Sequence, residues 1–391
     1  ESWLSWQLTP YIDENSIEVL DPRTVKITLL KPFGGFLGIL TSGVAAMMDP
    51  EVVMANEKDG DMGKLWLDDN SAGAGPFMYQ EHIRGQRVVL VPNSHYYGNP
   101  PALDRVIILH VPEPAQQAFM LEKGDLDAAM NIPIEQEQLM KEKGFQVLKG
   151  ELPSVAYMAM TLCFEPFDNL KVRQAMRYAV DYNGIINDLL QGSVTPASGI
   201  IGKGVFGYNP NFELHQDVEK AKELLAEAGY ADGFETKLYS WTNDKTFTDV
   251  ALKVQSDFAQ VGITVSYIAQ DISTLFPAYK ASKIPLILWY WGPAYPDGDA
   301  IITQHGDKTH QGCERLCWSC DECTELIEQA RVVADPAERQ ALYDKAQKII
   351  VEEGPFVFLY QLGSFHVVSP RVQGWEPIPF GTVDLRSVAV Q

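Results

Sequence analysis

Residues 71–135 contain the pattern that most narrows the fold of this chain. The Gly75-Pro76 turn opens a strand, the basic, amphipathic strand 84–92 follows, and an Asn- and aromatic-rich loop leads to the apolar strand 105–111. A short helix then ends in the sequence GDLD at residues 124–127. Alternating polarity favours strands, whereas apolar residues three and four apart favour a helix. The order strand, loop, strand, helix predicts an α/β unit, and it needs no catalytic group.

The length and charge of the chain limit its class. A chain of 391 residues is too long for one compact core, so we expect two or three domains. The formal net charge of -21 disfavours binding to nucleic acid or to anionic membranes. No apolar run reaches the roughly 18 residues that a membrane span needs. The opening Glu1-Ser2-Trp3 does not resemble a translation start, which predicts a processed or truncated chain.

A second motif, PFDNLKVRQAMRYAVD, follows a strand at residues 166–181. Asp168 or Asn169 is predicted to cap a helix. The apolar face of that helix would consist of Val172, Ala175, Met176 and Ala179. Arg173 is expected on or beside the opposite face, in a salt bridge or in contact with a ligand.

Together these motifs resemble the peptide/nickel class of extracytoplasmic solute-binding proteins, family 5, which deliver ligands to ABC importers. The corresponding family pieces read roughly GTGPY, RNPDYWGGxPxLDxI, LxxGEIDxA and PFxDxRVRQALxYAID. The resemblance implies an α/β fold of the two-lobed periplasmic-binding-protein type II kind, with hinge crossovers near residues 154–159 and 361–365. The family's opening segment has no counterpart here, so lobe I is expected to be incomplete.

The same resemblance implies a division of the chain. Residues 1–70 are expected to be a remnant of the extra subdomain of lobe I, 71–152 the lobe I sheet, 153–362 lobe II and 363–391 the return to lobe I. Within residues 1–70 we predict a strand at 24–30, a helix at 51–58 and an acidic loop at 59–70.

Residues 217–362 alternate between helices and strands. Asp217 and Gly229 flank one predicted helix, and a second ends at Gly262 between strands 235–240 and 263–269. A third helix begins at Asp335-Pro336 and precedes the strand 355–360. The apolar stretches 284–290 and 355–362 are typical of buried parallel strands. This alternation predicts a mostly parallel sheet with helices on both faces.

No nucleophile elbow, P-loop, HExxH pair or dinucleotide fingerprint occurs in a suitable context, so we predict a protein that is not an enzyme and needs no cofactor. In peptide-binding members of the family, an Asp in a segment like WxADYxDP holds the amino group of the peptide. The matching segment here is WGPAYPDGD at residues 291–299, with Ala294 in that place. Dipeptide-binding members also use an Arg after a strand, and residues 239–245 contain none. A zwitterionic dipeptide is therefore disfavoured, since losing one partner of a buried charge pair costs roughly 2–5 kcal/mol.

The two segments that lack the charged residues of the peptide-binding members are rich in aromatic side chains. Flat rings with a few polar neighbours suit an oligosaccharide, an opine-like sugar conjugate or a peptide-like compound, and they also attract cations. Neighbouring strand residues point to opposite faces, so part of the aromatic cluster belongs to the core. The candidate ligand-binding residues in the inter-lobe cleft are Trp241, Asn243, Trp289, Trp291, Ala294, Tyr295 and Asp297.

Four of the five cysteines are closely spaced: Cys313, Cys317, Cys320 and Cys323. In an oxidising compartment this spacing predicts one or two local disulfides, whose pairing the sequence leaves open. The alternative is a zinc site with His305 and His310, and hence a metal-binding or thiol-dependent soluble protein built on residues 305–323. Cys163 lies in an apolar strand and is expected to be a small core residue.

The predicted function is the solute-binding component of an ABC importer. Its expected partners are a small-molecule solute and the importer's membrane permease, with no nucleic acid, and the chain is expected to be a periplasmic monomer. A chemoreceptor or regulatory protein with the same fold is a third possibility that the sequence leaves open.

Overall fold

The computed structural model describes residues 5–130, 132, 136–242, 244–379 and 382–391. It forms two compact units. The larger consists of the described residues up to Val44 together with Glu151–Leu362, and the smaller of Ala45–Gly150 and Gly363–Gln391. Within the described residues, no helix is long and apolar enough to cross a membrane.

The helices lie mainly in the second half of the chain. In chain order they are α1 (Phe36–Ile39), α2 (Pro50–Ala55), α3 (Lys64–Leu67), α4 (Pro114–Lys123), α5 (Glu137–Glu142), α6 (Leu170–Ala179), α7 (Val218–Glu227), α8 (Lys245–Ala259), α9 (Ile272–Lys280), α10 (Asp299–Gly306), α11 (Gln311–Glu314), α12 (Asp321–Val332) and α13 (Pro336–Glu352). Ser5–Gln7 and Gly43–Ala45 are short 3₁₀ turns, and Gly184–Leu189 is a π-helix.

The strands are β1 (Ile17–Asp21), β2 (Thr24–Ile27), β3 (Phe77–Ile83), β4 (Arg87–Pro92), β5 (Val106–Leu109), β6 (Ala128–Met130), β7 (Gln146–Met160), β8 (Thr195–Pro196), β9 (Glu235–Trp241), β10 (Thr264–Gln270), β11 (Leu286–Trp291), β12 (Phe356–Val368), β13 (Val372–Gln373), β14 (Pro377–Ile378), β15 (Thr382–Val383) and β16 (Ala389–Val390). Strands β7 and β12 each run through a boundary between the two units.

The sheet of the larger unit has the order β10-β9-β11-β7-β12, with β8 paired to β12. Strands β10 and β11 are parallel to β9, but β11 is antiparallel to β7 and β12 is antiparallel to β8. The prediction of a mostly parallel sheet is therefore wrong, although both predicted buried strands are present. The physical reason is that β7 enters the sheet between two strands that each follow a helix, which the helix-strand alternation does not reveal.

In the smaller unit, β3, β4 and β5 form an antiparallel sheet, and β6 pairs with the end of β12. This agrees with the strand, loop, strand, helix order predicted for residues 71–135. The segment predicted to be an acidic loop contains the short helix α3, whose first turn is held by Asp61: its carboxylate accepts from the backbone N–H of Gly63 and Leu65.

Local sequence signals explain most helix starts. Asn169, Asp217, Asp244 and Asp335 each accept a hydrogen bond from a backbone N–H in the first turn of the helix that follows. These bonds satisfy donors that a helix start leaves without a partner. Helix α6 buries Val172, Ala175, Met176 and Ala179, as its periodicity predicts.

Arg173 occupies a different environment from the one predicted. Its side chain is buried, and it donates to the carbonyl oxygens of Phe167 and Glu353 at 2.9 and 3.0 Å. The end of α13 leaves carbonyls without partners, and Arg173 satisfies one of them. Among the described residues Arg173 forms no salt bridge, and its guanidinium is taken up by backbone carbonyls.

The described residues up to Val44 belong to the larger unit. The Phe33 ring stacks on Tyr11 at 4.1 Å and meets the edge of Tyr295 at 6.5 Å. The Gly34 N–H donates to the Arg331 carbonyl at 2.8 Å. These contacts fix the segment on α12 and on the turn before α10.

Candidate functional site

Three parallel strands of the larger unit end at the same side of the sheet. Strand β9 ends at Trp241, β10 at Gln270 and β11 at Trp291, where Trp291 pairs with Val155 of β7. We call this side the carboxyl edge. In α/β sheets the carboxyl ends of parallel strands are the usual place for a ligand, because the following loops and helix starts converge there.

Aromatic rings surround the end of β9. The Trp241 ring lies 4.5 Å from Phe247, 4.9 Å from Trp289 and 5.5 Å from Tyr290. Trp241 and Trp291 are half-buried, and Tyr290 is 41% exposed. The carboxyl edge therefore presents partly exposed aromatic faces to solvent.

Two of the predicted ligand contacts belong to the core instead. Trp289 is 8% exposed, and its ring stacks on Phe276 at 5.7 Å. Tyr295 is also buried, and its hydroxyl donates to Asp299 at 3.1 Å. Burial and the nearby carboxylates raise the pKa of Tyr295, so this hydroxyl stays protonated. Both side chains thus pack inside the larger unit.

Asp297 is likewise engaged. Its carboxylate accepts two hydrogen bonds from the buried Arg339 guanidinium and one from the Asp299 N–H. The charge of Asp297 is therefore already compensated by Arg339. Ala294 is exposed and brings no polar group. Asn243 lies outside the described residues.

A second ion pair supports the same turn. Arg331 donates from Nε to Asp299 Oδ1 at 2.8 Å and contacts Asp307 at 3.3 Å. The alternating acidic residues of the segment PDGD are thus partners of two arginines on α12 and α13. No local pattern predicts this pairing, because 42 and 32 residues separate the partners.

The five cysteines form a structural element of the larger unit. Cys163 is bonded to Cys317 across 154 residues, and Cys320 to Cys323. The expectation that Cys163 is a core thiol is wrong: the Leu162 N–H donates to the Leu316 carbonyl, which brings the two segments together. Cys313 is a buried free thiol, so its candidacy for a disulfide fails as well.

The metal- or thiol-dependent alternative is contradicted by this arrangement. Three of the four sulfurs in residues 305–323 are in disulfides, and burial raises the pKa of the fourth, the Cys313 thiol, to about 12, which keeps it protonated and unreactive. In the described part of the chain, no group of three or more His, Cys, Asp or Glu is placed to hold a metal ion.

His305 is also a core residue. Its Nδ1 donates to the Ile301 carbonyl at 2.8 Å, because a carbonyl oxygen can only accept, and its Nε2 accepts from the Tyr157 hydroxyl at 3.2 Å. Burial lowers the pKa of His305 to about 3, so the ring is neutral. The recess beside it, at Trp291 and Arg315, measures about 10 Å³ and has room for about one water molecule. It is too small for a solute.

Two residues near the carboxyl edge are not among the candidates predicted from the sequence. Asp244 is the N-cap of α8 and lies three positions after Trp241. Its place between a predicted strand and a predicted helix indicates this capping role. Tyr360 is 1% exposed, and its hydroxyl has no hydrogen-bond partner among the described residues. No local signal distinguishes this tyrosine from an ordinary core residue.

Comparison with known proteins identifies the family. Residues 2–313 match the model of the bacterial extracellular solute-binding proteins, family 5 Middle. The chain belongs to this family. The motifs at residues 71–135 and 166–181 thus reflect true membership, and the predicted two-lobed α/β fold class is confirmed.

Among the family 5 relatives, the probable D,D-dipeptide-binding periplasmic protein DdpA of Escherichia coli K12 is 29% identical over 364 residues, which cover 92% of this chain and 70% of DdpA. The glutathione-binding protein GsiB of Salmonella paratyphi A is 30% identical over 353 residues, which cover 87% and 67%. The solved structure of the PBP AgaA from A. tumefaciens R10, in complex with agropinic acid, has a TM-score of 0.77 and 25% identity, and the match covers 98% of this chain and 79% of AgaA.

These findings make the chain a solute-binding component of an ABC importer. The relatives are named as binding proteins, not as enzymes. Family 5 binding proteins are extracytoplasmic, as the family's description states.

Proposed function

We propose that this protein captures a small polar solute at the carboxyl edge of its larger unit, in the periplasm, as a monomer, and presents it to the permease of the importer. The solute is an oligosaccharide, an opine-like sugar conjugate or a peptide-like compound. The observation that carries the proposal is the exposed aromatic surface of Trp241 and Tyr290 at the ends of parallel strands.

The same edge argues against an ordinary dipeptide as the solute. Ala294 supplies no carboxylate for an amino terminus, and Asp297 is neutralised by Arg339. Sugar rings and extended amides pack on indole and phenol faces through their C–H surfaces and hydrogen-bond with the phenol. The relatives named above bind different solutes by their names, so the family alone does not choose the class.

The test is a thermal-shift screen followed by calorimetry on the full chain. The three ligand sets are di- and oligopeptides, oligosaccharides with opine-like conjugates, and nickel with small chelators. A ligand at a hundredfold excess over its Kd adds about 2.7 kcal/mol to the free energy of unfolding. We expect a hit in the second set, or with a peptide that is not a zwitterionic dipeptide, and we expect Trp241→Ala to weaken its binding by at least tenfold. A hit restricted to zwitterionic dipeptides, or one that Trp241→Ala leaves unchanged, would overturn the proposal.

A further inference from the structure

One carboxylate lies between the end of β9, at the half-buried Trp241, and the start of α8. Asp244 Oδ1 accepts from the Phe247 N–H at 2.9 Å, and the Phe247 ring is 4.5 Å from the Trp241 ring. Trp241 in turn contacts Tyr290. Asp244 is only half-buried, so solvent or a solute can reach its carboxylate.

Two lysines of the larger unit are engaged by carboxylates, and Arg315, beside Trp291, lies over the Tyr279 ring. Lys203 forms an ion pair with Glu151 at 3.0 Å, and Lys245, next to Asp244, forms one with Asp249. Residues 239–245 contain no arginine. A net charge of -21 adds a negative background potential. The carboxyl edge therefore favours cations over anions.

A buried polar atom supports a ligand at this place. The Tyr360 hydroxyl lacks a hydrogen-bond partner among the described residues and is shielded from solvent. Burial and, second, the charge of Asp244 raise the pKa of Tyr360, so the hydroxyl stays protonated within the field of that carboxylate. Leaving such a group without a partner is unfavourable, so this hydroxyl retains a hydrogen-bonding capacity that the described residues do not use.

Resting on the solute-binding function above, we propose that the carboxyl edge selects a solute with a cationic nitrogen. Asp244 supplies the countercharge, and Trp241 and Tyr290 supply the aromatic faces. A carboxylate gives a charge-assisted hydrogen bond, and an aromatic face attracts a cation over its ring, so the two act on the same group of the solute. The carboxylate missing at position 294, after β11, is thus replaced by one in the turn after β9.

The experiment compares matched probes that differ in one charge. D-glucamine and D-sorbitol form the polyol pair, and glycyl-leucine amide and its N-acetyl derivative form the peptide-like pair. Calorimetry and tryptophan fluorescence on the full chain should show the amine of at least one pair binding at least tenfold more tightly than its neutral partner. Asp244→Asn should abolish this preference, because Asn caps a helix as well as Asp does but carries no charge. Asp217→Asn is the matched control: it caps α7 and takes no part in the aromatic cluster.

The outcomes separate this inference from the proposed function. If neutral solutes bind as tightly as amines, or if Asp244→Asn retains a tenfold preference, the cation inference is wrong while solute capture at Trp241 stands. If no member of any ligand set or pair binds, both proposals fall.

Discussion

Arg339 Nη2 donates to Asp297 Oδ1 at 2.8 Å, and both side chains are buried. The Tyr343 hydroxyl lies 2.7 Å from the same Nη2 and 3.4 Å from the same Oδ1. Three groups of the larger unit thus share one buried contact, which ties the turn before α10 to α13. An acidic residue that looks like a ligand contact in the sequence therefore stabilises the fold.

Asp297→Asn should destabilise the protein without changing which solutes it binds. Removing one partner of a buried ion pair leaves the other charge uncompensated, which costs about 3–5 kcal/mol. Urea unfolding and calorimetry with the best solute measure the two effects. The control is Glu18→Gln in the exposed pair with Lys26, where the loss should be below about 1 kcal/mol. A loss of solute affinity at unchanged stability would contradict this role of Asp297.

Trp289→Leu should mainly lower the stability of the protein, whereas Trp241→Leu should mainly lower its affinity for the solute. Trp289 is stacked in the core, so its truncation should lower stability by about 3 kcal/mol or more and leave the affinity of the folded protein for its solute within a few fold. Trp241 is half-buried at the carboxyl edge, so its truncation should act mainly on affinity. Denaturant midpoints and Kd values for both variants check the pair. Equal losses of affinity would show that Trp289 reaches the solute.

His305 should make stability depend on pH. Its pKa is about 3 in the folded protein and 6.5 as the reference, so between these values the unfolded chain binds the proton and the folded chain does not. The free energy of unfolding therefore falls as the pH drops from about 6.5 towards 3, and this group accounts for up to about 1.4 kcal/mol per pH unit. Above pH 6.5 the stabilisation that comes from the low pKa of His305 is fully present.

His305→Gln should have a lower free energy of unfolding than the wild type at pH 7, but this free energy should fall less as the pH is lowered. Urea unfolding at pH 7.0, 5.5 and 4.5 measures both. His95→Gln, an exposed position, should keep the wild-type slope. Identical slopes in the His305 variant and the wild type would contradict a neutral buried ring.

The two disulfides should differ in their contribution to stability. Cys163–Cys317 spans 154 residues and Cys320–Cys323 spans 3. By loop-closure entropy the first is worth about 5 kcal/mol and the second about 2. Unfolding of the Cys163→Ala/Cys317→Ala and Cys320→Ala/Cys323→Ala variants measures the difference. Non-reducing peptide mapping should find one free thiol, at Cys313, that reacts only after denaturation; equal destabilisation or a different free thiol would contradict this pairing.

Local features of the larger unit could be predicted well. The caps at Asn169, Asp217 and Asp335 and the buried face of α6 depend on residues within about one helical turn, so they are visible in the sequence. The order of the motifs also identified the family. Face alternation indicated that some of the aromatic residues around β11 belong to the core, without saying which.

What the sequence determined by itself was the capped helices α6, α7 and α13, the buried strands β11 and β12, the family and the loss of the usual acidic partner at Ala294. Tertiary structure alone decided that Trp289 is core while Tyr290 is exposed, that Asp297 meets Arg339, and that Cys163 meets Cys317. Caps and periodicities arise between near neighbours in the chain, whereas these contacts join residues whose distance in sequence carries no information about their distance in space.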